Sequence, residues 1–418
     1  MPHLKILVIL VLPLFVFAQS HGLKTFINSA SKTNGLLKAK EINIQAKYKQ
    51  IEAAKSAYWP TLDVGADYAL LSPNYLVSPG QVGNIYASLS MDLYDGGRKD
   101  ALLRAKEFAH EASLFEKSAF EKSITLKIVR HYYTIQSLKA TLHALKNREI
   151  ELKAQIKRVK KFLSAGLSTQ EDIDKLVAVY ENNNFIIENT KLALETNEDH
   201  LKLISGLSAK RVSRNYFSEP KHIRFEYFDA IKVMQSNAES IGENAHAIDA
   251  GYMPQVKLSD TYHKSHFDDL VSMPGVGGDG FLVEHQNKLM LSVNMRIFDK
   301  AKISKESEAV KYQKLSLLSQ IDHAKKEQKM NFHLAQKTLK TTRTKLKSAK
   351  AALKAAQSTY DVLRKKFEAG LVDNIAYLDA LTQRTLAEAR YKETLYEYEI
   401  KKSIYYYYAG KDPKEFIR

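Results

Sequence analysis

The most restrictive feature of this sequence is a tandem duplication in which each copy places a pair of alternating strands before a long helical stretch. The phrase Ala-Tyr-Trp-Pro-Thr-Leu at 57–62 returns as Gly-Tyr-Met-Pro-Gln-Val at 251–256. Three further landmarks recur in the same order: Leu89-Ser90 with Leu93-Tyr94-Asp95 and Leu291-Ser292 with Ile297-Phe298-Asp299; Ala165-Gly166-Leu167 and Ala369-Gly370-Leu371; Gly206 and Gly410. A shared order of landmarks favours duplication over chance similarity.

The duplication suggests a first structural repeat at 19–206, a linker at 207–227, a second repeat at 228–410 and a tail at 411–418. Residues 1–18 have the features of a secretory signal peptide, because Lys5 is followed by an apolar run that ends in Val16-Phe17-Ala18. We predict cleavage after Ala18, with an uncleaved anchor as the alternative. No other stretch approaches the roughly 20 apolar residues of a membrane-spanning helix. A chain of this kind that crosses a membrane must therefore do so as strands.

Four segments alternate between apolar and polar or small residues, at 61–70, 86–94, 255–263 and 289–298. Strands of roughly ten residues match the length that a tilted strand needs to cross a bilayer. A half-buried sheet over a soluble core alternates in the same way and is the alternative. Aromatic residues at the strand ends favour the membrane, because they would form an interfacial girdle. These girdle candidates are Tyr58, Trp59, Tyr94, Tyr252 and Phe298.

Four strands cannot close a barrel, and an open sheet edge is not tolerated in lipid because its amides would lack partners. Several chains must therefore contribute strands. Small barrels begin near eight strands, so a trimer with twelve strands is favoured.

Long helices are predicted between and after the strand pairs. Gly and Pro are missing from 98–165 and from 299–369, and apolar residues between Leu138 and Leu163 follow a heptad spacing. Each stretch ends in an Ala-Gly-Leu turn and is followed by a return helix, which predicts coiled-coil hairpins. The tyrosines at 405–408 are expected to pack rather than to bind a ligand.

Composition excludes several classes of function. The formal charge is +16 at pH 7, but the lysines are spread along helices and no nucleic-acid-binding motif is present. The absence of cysteine excludes disulfides and thiolate metal sites. No catalytic or phosphate-binding phrase is present, so the sequence predicts no enzyme and implies no cofactor. His263 and His266, near Asp268 and Asp269, are surface histidines rather than a predicted metal site.

The order of elements resembles the TolC-type outer-membrane efflux proteins over essentially the whole mature chain. The matching phrases are Leu89-Ser-Met-Asp-Leu-Tyr-Asp-Gly-Gly-Arg98 and Phe367-Glu-Ala-Gly-Leu-Val-Asp-Asn-Ile-Ala-Tyr-Leu-Asp-Ala-Leu381. The resemblance implies an α+β membrane protein: a homotrimer with a 12-stranded β-barrel in the outer membrane, continued by a long α-helical coiled-coil tunnel in the periplasm of a Gram-negative cell. It also implies a periplasmic adaptor and an inner-membrane transporter of the RND or ABC type as partners.

The resemblance further implies an entrance narrowed by carboxylates and tyrosine links. By residue-wise match, Asp379 falls on a ring aspartate, and the other ring aspartate is replaced by Ala376. Phe367 and Val372 stand where the family has a linking tyrosine and a linking arginine, so the polar lock departs from the family pattern here. Asp373 is a substitute ring candidate or a helix cap. Glu171, Asp172 and Asp174 are expected to be a charged first helical turn. The hairpin tips that adaptors contact in the family are Gly166, Leu167, Gly370 and Leu371.

The function expected from this resemblance is a passive exit duct for small toxic compounds or drugs. An outer-membrane duct of a type I protein secretion system is the alternative within transport. A periplasmic coiled-coil adaptor or structural protein is the alternative from another class.

Overall fold

The computed structural model describes residues 21–75, 77–220, 223–271 and 282–418. The predicted signal peptide lies outside the described residues. The helices are α1 Leu23–Thr33, α2 Gly35–Ser56, α3 Arg98–Ser164, α4 Gln170–Ser205, α5 Asp229–Asp249, α6 Lys302–Glu368 and α7 Asn374–Tyr408, and the strands are β1 Thr61–Leu70, β2 Gln81–Tyr94, β3 Gln255–Asp268 and β4 His285–Asn294. Short 3₁₀ turns occupy Ala250–Tyr252 and Pro413–Phe416.

The four strands form one antiparallel sheet in the order β1-β2-β3-β4, which confirms the prediction of four strands per chain. Residues directly opposite in an antiparallel ladder point to the same face. Leu62 lies opposite Leu89, and Leu258 lies opposite both Met91 and Leu291. One face of the sheet is therefore apolar, and much of it is exposed.

The opposite face is polar, with Tyr86 laid across it. The Tyr86 ring occupies the space beside Gly65, where a Cβ would lie 2.5 Å from the ring. Asp260 is an exception on the apolar face, where it is paired with Leu89 and Leu289. One of its carboxylate oxygens is occluded and has no hydrogen-bond partner.

The strand boundaries differ from the expected ones at the loop ends. β2 starts at Gln81 and not at 86, and β3 continues to Asp268 and not to 263. The ladder persists there because Gln81 pairs with both Leu70 and Asp268, although the side-chain alternation is weak. β4 spans His285–Asn294 rather than 289–298, because Asn294 is paired with Gln255, the first residue of β3. Among the described residues, 295–298 have no ladder partner.

The chain divides into two compact units. One, here called the sheet unit, comprises Ala39–Ala119 and Tyr227–Glu327, and the other, here called the helical unit, comprises Phe120–Glu226, Gln328–Arg418 and the segment that ends at Lys38. The units do not coincide with the two sequence copies, because each copy contributes strands to the sheet unit and helices to the helical unit. The sheet unit has a small core in which Ile231, Ala238 and Ile321 are buried.

The helical unit has a large aromatic core near the ends of α1 and α7. Phe26, Tyr132, Tyr133 and Tyr406 are each at most 1% exposed there. The Tyr406 ring stacks on Phe416 with a centroid distance of 3.8 Å. Tyr405 and Tyr406 therefore pack in the core, as the sequence predicts for the tyrosine run.

No helix among the described residues combines the length and the apolar character that crossing a membrane requires.

A buried ion pair fixes the linker against α7. Lys402 Nζ lies 2.8 Å from Glu399 Oε1 and 3.0 Å from Glu219 Oε1, and the Lys402 and Glu399 side chains are 4% and 3% exposed. Glu399 also accepts the backbone N–H of Phe217 at 2.7 Å. Burial raises the pKa of Glu399, and the hydrogen bonds from Lys402 and Phe217 oppose that rise. Glu399 and Lys402 on α7 thus bind the backbone of the linker at Phe217.

We expect Lys402→Met to destabilise the helical unit by about 3–5 kcal/mol, because it leaves the Glu399 carboxylate buried without its cation. The measurement is thermal unfolding of the detergent-solubilised protein followed by circular dichroism. Lys401→Met is the matched control, because Lys401 makes only a partly exposed pair with Glu397 at 3.7 Å and should change stability by less than about 1 kcal/mol. Equal melting temperatures for the two variants would contradict the role of the pair.

Candidate channel entrance at the helical hairpins

Two helical hairpins end at glycine turns that the sequence repeats. Gly166 between α3 and α4 has φ +70°, and Gly370 between α6 and α7 has φ +73°. The backbone N–H of Leu167 donates to Phe162 O at 2.8 Å, and that of Leu371 donates to Lys366 O at 2.8 Å. This left-handed geometry favours glycine and satisfies the last carbonyls of each helix. It leaves Leu167 and Leu371 exposed at 76% and 73%.

Acidic and hydroxyl side chains start the return helices. Thr169 and Asp172 form a capping box at α4, in which each side chain accepts the other's backbone N–H at 3.2 Å. These hydrogen bonds hold the pKa of Asp172 below its ordinary value. Glu171 pairs with Lys175 at 2.5 Å, and Asp174 accepts from Gln170 at 2.8 Å. Glu171 and Asp172 therefore form a charged first helical turn, as expected, whereas Asp174 lies just after that turn.

The second-copy acids differ in their surroundings. Asp373 is the N-cap of α7 and accepts the backbone N–H of Ala376 at 2.9 Å. Asp379 lies in the second turn of α7, where it is exposed and accepts a hydrogen bond from Gln383 Nε2 at 3.4 Å. Asp379 is therefore free to face a ligand or another copy of the chain.

A surface groove of ≈ 540 Å³ lies at the hairpin tips. Both turns line it, so the structure places the two hairpin tips at the same end of the helical unit. Its walls include Leu167, Asp172, Phe367, Val372 and Asp373.

One carboxylate on α3 links three helices, because it accepts hydrogen bonds from side chains on both α6 and α7. Glu151 accepts hydrogen bonds from the hydroxyls of Tyr360 on α6 and Tyr377 on α7, the latter at 3.2 Å. Arg384 on α7 donates to the same carboxylate at 2.8 Å, and its guanidinium lies 4.0 Å from the centre of the Tyr360 ring. Burial raises the pKa of Tyr360 and of Tyr377, so both remain hydrogen-bond donors. We call Glu151, Tyr360, Tyr377 and Arg384 the hairpin clasp.

Phe367 lies inside this region and not on its surface. Its ring is 9% exposed and stacks on Tyr377 with centroids 4.9 Å apart. The Arg158 guanidinium covers it at 5.1 Å. Ten residues before Arg158 on α3, buried Arg148 donates to Thr382 Oγ1 at 2.8 Å.

Sequence reasoning missed the hairpin clasp. Its members lie on three helices, and α3 is separated from α7 by more than 200 residues in the sequence. A signal was present, because Tyr360 and Phe367 are seven residues apart, as are Tyr377 and Arg384. Such spacing places each pair on one helix face.

The girdle candidates all lie at strand ends in the sheet unit. Trp59, Tyr94 and Phe298 are 75%, 50% and 85% exposed. Tyr58 donates to Asp100, and Tyr252 donates to Asp299 at 3.0 Å. Asp299 in turn caps α6 by accepting the Ile303 N–H at 3.0 Å. The tyrosine hydroxyls thus bond to the start of the helix that follows each strand pair.

The histidines of β3 are exposed or half-buried. His266 Nε2 lies 3.5 Å from Asp268 Oδ2, and the His263 ring lies beside Tyr86. Within the described ranges, no three His, Asp or Glu side chains are grouped to hold a metal ion.

Comparisons with known proteins agree on one type of molecule. Residues 26–207 match the family model described as outer membrane efflux protein. The chain is 20% identical to Outer membrane protein TolC of Escherichia coli (strain K12), over 93% of this chain and 83% of that protein.

Solved structures show the same fold. The Campylobacter jejuni CmeC outer membrane channel superposes with a TM-score of 0.79 at 16% identity, covering 93% of this chain and 85% of that chain. The outer membrane protein VceC of Vibrio cholerae superposes with a TM-score of 0.79 at 13% identity, covering 93% and 96%. These similarities confirm the predicted α+β channel fold.

We expect Arg384→Met to loosen the start of α7, because it removes the cation from the Glu151 carboxylate and costs about 1–3 kcal/mol. Hydrogen exchange of the α7 amides between 374 and 384 should accelerate by about tenfold for each 1.4 kcal/mol lost. Arg390→Met is the matched control, because the Arg390 side chain is exposed on the same helix. Unchanged exchange in the Arg384 variant would show that the hairpin clasp does not hold the turn.

Proposed function

We propose that this chain, which is similar to outer membrane efflux proteins and to TolC, is the passive exit duct of a tripartite efflux system. In this proposal three protomers form the duct, a periplasmic adaptor binds it, and an inner-membrane transporter of the RND or ABC type supplies the energy for export. The exported class is small toxic compounds or drugs. In this proposal the chain transports and does not catalyse, as the similarity to outer membrane channels suggests.

One observation supports the proposal above all: the sheet has an exposed apolar face and two unpaired edges. Among the described strands, β1 and β4 each have a neighbour on one side only. In lipid, every backbone N–H and C=O needs a partner within the protein. Copies of the chain supply those partners if β4 of one protomer pairs with β1 of the next. Three copies then close twelve strands.

The duplication predicts the register of that pairing. Within one chain, β2 of the first copy pairs with β3 of the second, with Leu89 opposite Asp260 and Ala87 opposite Tyr262. Leu89 corresponds to Leu291 in the other copy, and the match of 57–62 to 251–256 makes Asp260 correspond to Ala66. The contact between chains is then expected to place Leu291 opposite Ala66. The pair Ala87–Tyr262 corresponds in the same way to Leu289 and Tyr68, so these two residues are also expected to lie opposite each other.

In such a barrel the apolar face contacts lipid and the polar face lines the lumen. Trp59, Tyr94, Tyr252, Phe298 and Tyr58 then form the girdle at the interface nearest the helices. Their position near strand ends supports this role, as does the exposure of Trp59, Tyr94 and Phe298. Aromatic side chains prefer the headgroup region because they combine an apolar body with a polar tip.

For the helical unit, we propose that Asp379 forms a ring of three carboxylates around the entrance. Its exposure supports the role. Asp373 would add a second ring although its carboxylate also caps α7, and Phe367 would support the opening from within by packing on Tyr377. Carboxylates around a narrow opening attract cations and bind blocking ones.

The hairpin tips are the proposed contact surface for the adaptor. Leu167 and Leu371 are large apolar side chains in open solvent, and the adjacent Gly166 and Gly370 leave the backbone accessible. Exposed leucines on a turn are suited to burial by a partner.

The test of the proposed function is complementation. In cells that lack their own duct, this chain expressed with its cognate pump and adaptor should lower the steady-state accumulation of a fluorescent pump substrate. The same chain without the pump should not, because the duct has no energy source. Secretion of a protein substrate without any change in the accumulation of small molecules would overturn the proposal in favour of the secretion duct.

We expect Asp379→Ala to reduce cation selectivity in single-channel recordings and to weaken block by a trivalent cation by about tenfold, which corresponds to about 1.4 kcal/mol of lost attraction. Asp322→Ala is the control, because Asp322 is an exposed α6 carboxylate paired with Lys326 and lies outside the helical unit. Unchanged block in the Asp379 variant would exclude it from the constriction.

A further inference from the structure

The part of α6 between Gln328 and Tyr360 carries a stripe of exposed lysines. No Asp or Glu occurs between Gln328 and Tyr360. Lys340, Lys347 and Lys354 repeat every seven residues and therefore lie on one face of the helix. All three are exposed, and within the described residues none of them takes part in an ion pair. Unneutralised cations on a regular face favour an acidic partner.

An acidic stripe with the same period lies on α4. Glu181, Glu188 and Glu195 repeat every seven residues, and all three are exposed. Their contacts are local: Glu188 pairs with Lys191 one turn away at 2.6 Å, and Glu181 accepts from Asn184 at 3.3 Å.

Exposed apolar side chains accompany the acids. Phe185 lies one turn after Glu181, Leu192 lies one turn after Glu188, and they are 67% and 66% exposed. Large apolar residues beside regularly spaced charges are typical of a helix face that another helix covers.

The two stripes lie at matching distances from the hairpin tips. Glu181, Glu188 and Glu195 are 15, 22 and 29 residues from Gly166 in the first tip, and Lys354, Lys347 and Lys340 are 16, 23 and 30 residues from Gly370 in the second. The tips line one groove, so they share a level. Both helices rise about 1.5 Å per residue from there. Each glutamate therefore lies at the same distance from the hairpin tips, measured along the helix, as one of the lysines, to within about one residue.

The stripes do not meet within one protomer. α4 is bonded to α3, where Asn183 donates to Leu145 O at 3.2 Å, and α3 is bonded to α6 and α7 through the hairpin clasp. The charged faces of α4 and α6 stay exposed on the flanks of this assembly. Rotation about a symmetry axis parallel to the helices preserves level, so these faces can meet between protomers.

We propose that α4 of one protomer packs antiparallel against α6 of the next, and that Glu181–Lys354, Glu188–Lys347 and Glu195–Lys340 pair across this contact. The occupant of each face is a second copy of this chain, so the inference rests on the trimer of the proposed function. Exposed ion pairs add little stability singly, but a matched series opposes every other register because displaced charges are left without partners. The stripes thus set the register between helical walls.

Crosslinking tests the register directly, because the chain has no cysteine. The variant Glu188→Cys/Lys347→Cys, treated with a short bismaleimide in native membranes, should give covalent dimers and trimers on denaturing gels. Glu188→Cys/Lys354→Cys is the matched control, because it displaces one partner by a full heptad, about 10 Å along the helix. It should give at least tenfold less covalent product. Equal products from both pairs, or none from either while native mass spectrometry shows trimers, would overturn the inference.

Charge exchange tests the physical cause. Reversal of all three acids, Glu181→Lys/Glu188→Lys/Glu195→Lys, should lower the trimer fraction at low ionic strength by at least tenfold, and high salt should reduce the difference by screening. Adding Lys340→Glu/Lys347→Glu/Lys354→Glu in the same chain should restore the trimer. A reversed variant that keeps its trimers but loses binding to the adaptor would overturn the inference, since the acids would then serve that partner. Monomers in the unmodified protein would instead reject the proposed function itself.

Discussion

The unpaired backbone along β1 and β4 is the constraint on which the rest of the structure depends. A four-stranded sheet leaves two rows of amide and carbonyl groups without partners, and a hydrocarbon environment gives them no water. The exposed apolar face adds to this constraint, because its leucines and valines are suited to lipid and not to solvent. A single chain is therefore an incomplete wall. The proteins that the chain resembles are described as outer membrane efflux proteins and channels.

The duplication gives this constraint a simple solution. The β2–β3 ladder joins the two copies within a chain, and the proposed β4–β1 ladder joins the same kinds of strand between chains. The helical hairpins repeat in the same way but carry different chemistry. The first tip uses the Thr169–Asp172 box, whereas the second combines the Asp373 cap with exposed Asp379. The hairpin clasp connects the two copies, since Glu151 of the first contacts Tyr360, Tyr377 and Arg384 of the second.

Local periodicity predicted most of the fold. Period-two alternation identified all four strands, and the heptads with the Ala-Gly-Leu turns identified the long helices and their hairpins. Strand ends were less accurate, because β2 is extended by its partners and β4 stops at Asn294, where β3 begins.

The site was harder to predict because its contacts are nonlocal. A residue-wise match assigned roles to Phe367 and Asp379, but the polar contacts at the hairpins are made by Glu151 and Arg384, which are 233 positions apart. Nothing in the sequence near Glu151 indicates that it lies opposite Arg384. The Phe367 ring stacks on Tyr377, and its burial there depends on how three helices pack.

The central claim is that each sheet is completed by the sheet of another copy in the register set by the duplication. The most direct measurement is disulfide formation in the outer membrane between Ala66→Cys and Leu291→Cys in one chain, read on a non-reducing gel. Opposed residues in an antiparallel ladder have Cα atoms about 4.5–5.5 Å apart, which a disulfide spans. We predict that the first pair gives a covalent trimer that reductant converts to monomers. The pair Leu62→Cys with Leu291→Cys should give no covalent trimer, because its thiols would be about 13 Å out of register. A chain that remains monomeric with the first pair, or that crosslinks equally with the second, would contradict it.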